Sequence, residues 1–395
     1  MLSGDSPECG PLEEDVDCKC LVVGSGITGA LAAYHLAEEG VGVVLIDRRA
    51  IARGSTPAST ALLQYDIDTP LVELRHQLGK EPADRAYRRS RRALTDMSNL
   101  IQRLGLDCDL AERPSLYLAH SAMAADGLRK ETEARAQIGM EVEFLTAVEL
   151  RETFGINRPG AILSQVALQI DPWKFTKQML CAAIQRGAKI YGETELRIPS
   201  PPGPVREFQT TSGHRIRTNH AVLATGYETP DQFTAIANLC ELSSTFVVAT
   251  HSLPEDRLWP RRALIWETAD PYLYARTAAD NRVIIGGEDE PFQDARLRDS
   301  LIPAKTEVLL RKFRATYPIG DVEVETAWAG TFAQTRDGLP YIGQMKAYPR
   351  YHFALGYGGN GITFSLIAAQ IIRDGILGRT DPDAPVFSFD RKIID

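Results

Sequence analysis

The stretch VVGSGITGA, residues 22–30, constrains this chain more than any other. Gly24, Gly26 and Gly29 match G-x-G-x-x-G, with an apolar run (CKCLVV) before them and a helix-periodic run (ITGALAAYHLAEEG) after them. Such glycines permit a tight turn, close backbone approach to a pyrophosphate, and close helix–strand packing. The helix N-terminus they open, from Ile27 and Thr28, presents free N–H groups and the positive end of a dipole to phosphate. A second apolar run, VGVVLID, completes a βαβ unit and ends in Asp47, placed to accept from ribose hydroxyls. Asp47 favours a free 2′-hydroxyl, as in FAD or NAD, whereas the neighbouring Arg48 and Arg49 leave a 2′-phosphate open.

Two further glycine sites have the same character. AVLATGY brings Thr225 and Gly226 to the end of an apolar strand, where cofactors bind in open α/β sheets. ALGYGGNGITFS places Gly358, Gly359, Asn360 and Gly361 before a helix predicted to begin near Ile362. Its backbone N–H groups suit a delocalised negative charge, such as the N1–C2=O edge of a reduced flavin.

Between these sites the pattern changes. Helices are predicted over 83–104, 124–138 and 304–317, and a helix in DPWKFTKQMLCAAIQRG is capped by Asp171 and ended by Gly187. PSPPGPV reads as a turn or loop. TFVVATHS, ALIWET, YLYART and RVIIGG read as short strands of an antiparallel sheet. Two interwoven units follow from this alternation. The acidic first 16 residues, which lack an apolar core, read as a disordered leader.

Charge and cysteines narrow the function. A net charge of −8 argues against nucleic acid as a partner. The basic run DRAYRRSRRAL reads as a solvated helix face or a docking surface for an acidic partner. Six scattered cysteines without a C-x-x-C pair, and seven histidines without a cluster, argue against a structural metal site and fit a reducing, cytoplasmic setting. No stretch reaches the ~18 apolar residues of a membrane span. His35 reads as helix surface and His352 as strand packing.

Taken with RGSTPASTALLQ, DPWKF and DGLPYIG, these motifs resemble, in order and spacing, the D-amino-acid oxidase superfamily of FAD-dependent oxidoreductases. That group includes glycine oxidase, sarcosine oxidase and γ-glutamylputrescine oxidoreductase. The likeness covers about residues 17–378. It implies an α/β, Rossmann-like FAD-binding domain with a parallel sheet (17–82, 148–228 and 326–395). An α+β substrate domain with an antiparallel sheet would comprise 83–147 and 229–325. It implies oxidation of a C–N bond of an amine, N-alkyl amino acid or amino acid by hydride transfer to flavin N5. The imine would then hydrolyse, with oxygen or another electron acceptor reoxidising the flavin. Carried over residue by residue, Gly54, Ser55, Thr56, Ser59 and Thr60 would meet the pyrophosphate and flavin. No cysteine precedes TFAQTRDG, and no histidine lies in RGSTPAST, so the resemblance implies noncovalent FAD.

The resemblance also implies an arginine that grips a substrate carboxylate two residues after Ala329-Gly330; this chain has Phe332 there. Arg276 and Arg336 remain as substitutes, and Arg336 also fits a structural role beside the turn. Tyr272 and Tyr274 share one face of their strand, with Trp266 before it, as pocket wall or as sheet packing. An aromatic pocket suits an amine or N-alkyl cation. Ile284 stands where sarcosine oxidase has an oxygen-promoting lysine, which leaves a dehydrogenase open. The alternatives are an FAD-dependent 2-hydroxy-acid dehydrogenase, a flavin-binding subunit of a larger complex, and a NAD-dependent dehydrogenase. A homo-oligomer is left open.

Overall fold

The computed structural model describes residues 9–394 apart from 199–201, 203–205, 229–230 and 237. The PSPPGPV loop therefore lies almost wholly outside the described residues.

Three sheets organise the described chain. The six-stranded one runs Tyr341–Met345, Tyr348–Leu355, His220–Leu223, Cys20–Val23, Val43–Ile46, Lys189–Tyr191, and is parallel except at its first pair. Its central strands Cys20–Val23 and Val43–Ile46 are apolar throughout, as buried parallel strands require. The helix Ile27–Glu38 is buried from Thr28 to Ala37 and packs against Pro172–Gln185 and Gly361–Ile376. His35 belongs to that buried stretch, contrary to its expected surface place; burial pulls its imidazole down to about 4. Asp171 caps its helix as expected, accepting from the Trp173 and Lys174 N–H groups at 2.9 Å each.

A nine-stranded sheet lies beside it, with the order Val324–Gln334, Glu241–Thr250, Val283–Glu290, Leu273–Thr277, Leu264–Glu267, Ala111–Leu118, Gly160–Gln169, Leu62–Leu63. Val142–Thr146 also pairs with Gly160–Gln169. The sheet is antiparallel except where Leu264–Glu267 runs parallel to Ala111–Leu118. Gly160–Gln169 and Val324–Gln334 lie in this sheet, although the expected boundaries at 148 and 326 assign most of their residues to the parallel-sheet unit.

Three local expectations are corrected. The leader is ordered from residue 9: Leu12 is buried and its N–H donates to Thr194 Oγ1 at 2.9 Å, while Val16 pairs with Ile216 in a small third sheet. The helix predicted over 304–317 begins at Ala295, capped by Asp294, and carries Pro303 within it. Proline removes a hydrogen bond but need not end a helix that packing holds. The basic run is only in part a solvated face: Arg88 and Arg92 are exposed, but others are not. Arg89 is buried against Gln370 (2.7 Å) and Asp381 (3.3 Å), and Arg85 and Arg92 both reach Asp383 at 3.1 Å. These arginines fasten the helix Lys80–Leu104 to the C-terminal segment.

One buried ion cluster joins the nine-stranded sheet's approach loop to the helical layer. Arg135, fully buried, bridges Asp66 and Glu131, the latter at 2.6 Å. Glu131 also accepts from Leu71 N (2.7 Å) and Val72 N (2.9 Å), closing the start of the helix Leu71–Leu78. Removing one member strands buried charge, at a cost of ~3–5 kcal/mol. Arg135→Met is therefore expected to lower the denaturant midpoint sharply. Arg217→Met, on an exposed ion pair, is expected to leave it unchanged.

Candidate active site

A cavity of about 1420 Å³ opens between the carboxyl edge of the parallel sheet and the nine-stranded sheet. Small-molecule pockets are commonly ~300–1,000 Å³, so this one has room for a dinucleotide and a substrate together. Every expected cofactor residue lines it except Gly29, which packs behind.

The glycine turn explains its own residues. Gly24 has φ +105°, and a Cβ there would collide with the Ala224 carbonyl of the neighbouring strand. A Cβ on Gly29 would fall on the Gly24 carbonyl oxygen. Gly26 starts the helix with no side-chain cap, and Ile27 N donates to Thr56 Oγ1 at 3.2 Å. A phosphate suits this end. Asp47 stands at the cavity, but its carboxylate already accepts from Ser25 N (2.7 Å), Ser25 Oγ (2.6 Å) and Arg49 N (2.9 Å). Part of the capacity expected for ribose thus orders the glycine turn. Arg48 and Arg49 both pair with Glu228, at 2.8 and 2.7 Å. Hydrogen bonding from Arg49 holds the Glu228 carboxyl below its ordinary range. This pairing offsets the charge that a 2′-phosphate would need. Thr225 Oγ1 is buried on the cavity wall without a partner, and such a group needs one. The uncapped helix end, the glycine cradle and this hydroxyl fit FAD.

The large sheet fastens the loop 54–60 from behind. Trp328 Nε1 donates to Ala58 O at 3.0 Å, and Arg276 Nε donates to Thr60 O. Arg276 is buried, which pulls its guanidinium down to about 10. It does not line the cavity, and neither does Arg336, which is exposed in the turn after Val324–Gln334. Neither arginine occupies the place of a substrate clamp, because each is directed elsewhere by its strand or turn. Tyr274 and Phe332 do line the cavity. Tyr274 lies over Gly286, where any Cβ would meet its ring, and its ring centroid is 5.9 Å from that of Tyr272. Trp266 stacks on Tyr117 with centroids 3.6 Å apart and planes at 4°. Trp266 Nε1 and Gln64 Nε2 both donate to Ser115 Oγ, at 3.2 and 2.5 Å.

The third glycine loop holds a negative charge, but one the chain supplies. Asp68 accepts from Gly359 N at 2.8 Å and from Asn360 Nδ2 at 3.3 Å. A Cβ on Gly358 would overlap its carboxylate. The Gly359 N–H expected to meet a flavin edge is thus already engaged. Asp68 is exposed where it opens on the cavity, and the protein packed around its carboxyl raises it despite that exposure. Asp289 lines the same cavity, its carboxyl pushed up to about 6 by burial. Arg298 lines it too, with Nη1 on Thr331 Oγ1 at 3.0 Å, beside Phe332.

Sequence reasoning missed Asp68, Asp289 and Arg298. The only local signal was acids breaking apolar runs, in LLQYDIDTP and VIIGGEDEP. Among the described residues, no three or more His, Cys, Asp and Glu side chains are grouped to hold a metal, and no helix is long and apolar enough to cross a membrane.

Comparison with known proteins agrees with this geometry. The family model described as "FAD dependent oxidoreductase" matches residues 19–374. The chain is 26% identical to γ-glutamylputrescine oxidoreductase of Escherichia coli K12, covering 93% of this chain and 85% of that one. It is 27% identical to glycine oxidase of Bacillus licheniformis, covering 91% and 92%. In fold it is similar to glycine oxidase from Geobacillus kaustophilus (TM-score 0.77, 22% identity, covering 96% and 100%). It is also similar to L-proline dehydrogenase from P. horikoshii (TM-score 0.80, 18% identity, covering 95% and 97%). With nine-tenths of its length matched by that model, the chain belongs to the FAD dependent oxidoreductase family.

Proposed function

We propose that this protein binds FAD noncovalently and oxidises a C–N bond of an amine or N-alkyl amino acid that it recognises as a cation. The observation that carries this reading is the cavity wall: carboxylates Asp68 and Asp289 face it, while position 332 is phenylalanine and Arg276 and Arg336 stay out. A site built for a small amino acid's carboxylate would place a guanidinium at position 332 for bidentate pairing; the guanidinium that does line the wall nearby, Arg298, is held by Thr331 and Asp299.

Bound FAD supplies a two-electron, hydride-accepting centre. Gly24, Gly26 and the start of the helix Ile27–Glu38 would hold its pyrophosphate, and the loop 54–60 its flavin side. The chain's own residues then act on the substrate. Asp68 and Asp289 attract the ammonium. Tyr272, Tyr274 and the Tyr117–Trp266 stack offer aromatic surface that favours a cation and excludes water. Arg298 suits an anionic group at the far end of a longer amine, such as a distal carboxylate. A 2-hydroxy-acid dehydrogenase fits less well, since no histidine lines the cavity to serve as base.

Two measurements test the reading. Acid precipitation of the yellow protein is expected to leave colour in the supernatant; colour in the pellet would refute noncovalent binding. Anaerobic titration with n-butylamine, γ-glutamylputrescine, N-methylglycine and D-alanine is expected to bleach the flavin with the amines or the N-methyl compound. Bleaching by D-alanine alone would overturn the cation reading. Arg298→Met is expected to weaken γ-glutamylputrescine at least tenfold relative to n-butylamine, since a hydrogen bond to a charged group contributes ~1.5–3 kcal/mol.

A further inference from the structure

Asp289 has capacity that the fold leaves unused. It lies near the end of Val283–Glu290 and lines the cavity. Its Oδ1 is buried without a hydrogen-bond partner, and so is Oγ1 of Thr245 on the adjoining strand. The Thr245 and Tyr272 hydroxyls face the carboxyl and favour its ionised form. Lys305, whose charge acts on this carboxyl, is itself engaged elsewhere: it lies 2.6 Å from Glu290 and 3.7 Å from Glu288, and Lys312 also pairs with Glu288. Asp68 and Tyr274 face it from the other walls. The cation beside this carboxylate is thus shared with two glutamates, and one carboxylate oxygen has no hydrogen bond.

Resting on the amine reading above, we infer that Asp289 takes the proton from the substrate's ammonium before the C–N bond is oxidised. In this step an N–H bond of the ammonium breaks, an O–H bond forms at Asp289, and the electron pair stays on nitrogen. That pair is what the neutral amine needs to drive loss of hydride from the adjacent carbon. An ordinary alkylammonium, with a pKa of about 10.4, would not give up its proton readily to a carboxylate. The cavity narrows this gap from both sides, since burial raises a carboxyl and lowers an ammonium. For Asp289, burial is the largest cause of its rise to about 6.

The pH profile of anaerobic flavin bleaching tests this, read as the bimolecular rate constant. The probe is n-butylamine or, if only the longer amine reacts, γ-glutamylputrescine. The wild-type protein needs an ionised carboxylate and a protonated amine. Its rate should hold level between about pH 6 and the amine's own pKa, and fall tenfold per unit below about 6. In Asp289→Asn the amine must arrive neutral, so the rate should climb tenfold per unit across that same window. An Asp289→Asn profile with the wild-type plateau and low-pH limb would overturn the inference. Thr245→Val gives an independent reading if Asp289→Asn does not retain FAD. Loss of that hydroxyl should move the low-pH limb upward, and an unmoved limb would equally overturn the inference. Failure of every amine to bleach the wild-type flavin would instead reject the amine reading itself.

Discussion

The carbonyl oxygen of Gly24 sits where Gly29 would carry a Cβ. This one contact lets the helix Ile27–Glu38 lie directly on the strand that leads into it. Because that helix is buried along nearly its whole length, its seat also sets where Pro172–Gln185 and Gly361–Ile376 pack. The parallel register of Cys20–Val23 with His220–Leu223, and of His220–Leu223 with Tyr348–Leu355, then brings three glycine-containing loops to one sheet edge. A side chain at position 29 would separate helix from strand and shift the floor of the cavity.

The second constraint is electrostatic. The large sheet spends its buried guanidinium, Arg276, on the backbone carbonyl of Thr60, so that arginine holds the loop 54–60 and leaves the cavity without its charge. Asp68 and Asp289 remain on the wall, their carboxyls raised by burial. Keeping an acid as poorly hydrated as the Asp289 carboxyl costs stability unless a cation arrives. Structure that is costly in the empty protein and relieved by a ligand marks a functional site. Here it points to an occupant that brings positive charge.

Local signals were legible in the sequence. The glycine turn, the Asp171 cap and the aromatic face of Tyr272 and Tyr274 depend on neighbours within a few residues, and each appears as read. Features made by distant partners were not. Asp68 finds its donor at Gly359, 291 positions away, and nothing near DIDTP announces it. Arg135 reads as one more charged helix residue until Asp66 is brought to it. The leader's acidity argued for disorder, yet Leu12 and Val16 carry enough apolar and backbone pairing to tie it to residues 194 and 216. The helix expected from 304 starts nine residues earlier, because a capped, packed helix absorbs Pro303. Arg276 lies on a strand of the antiparallel sheet, as read, but its strand position did not reveal that the side chain points to Thr60.

The central claim is that the cavity receives a cationic nitrogen at its carboxylates. A crystal structure of the FAD-loaded protein with trimethylamine, a tertiary amine with one N–H when protonated, tests it most directly. The account predicts the nitrogen within hydrogen-bond distance of Asp289 or Asp68, among Tyr272, Tyr274 and Trp266. An amine found elsewhere, with both carboxylates turned onto protein donors, would contradict it.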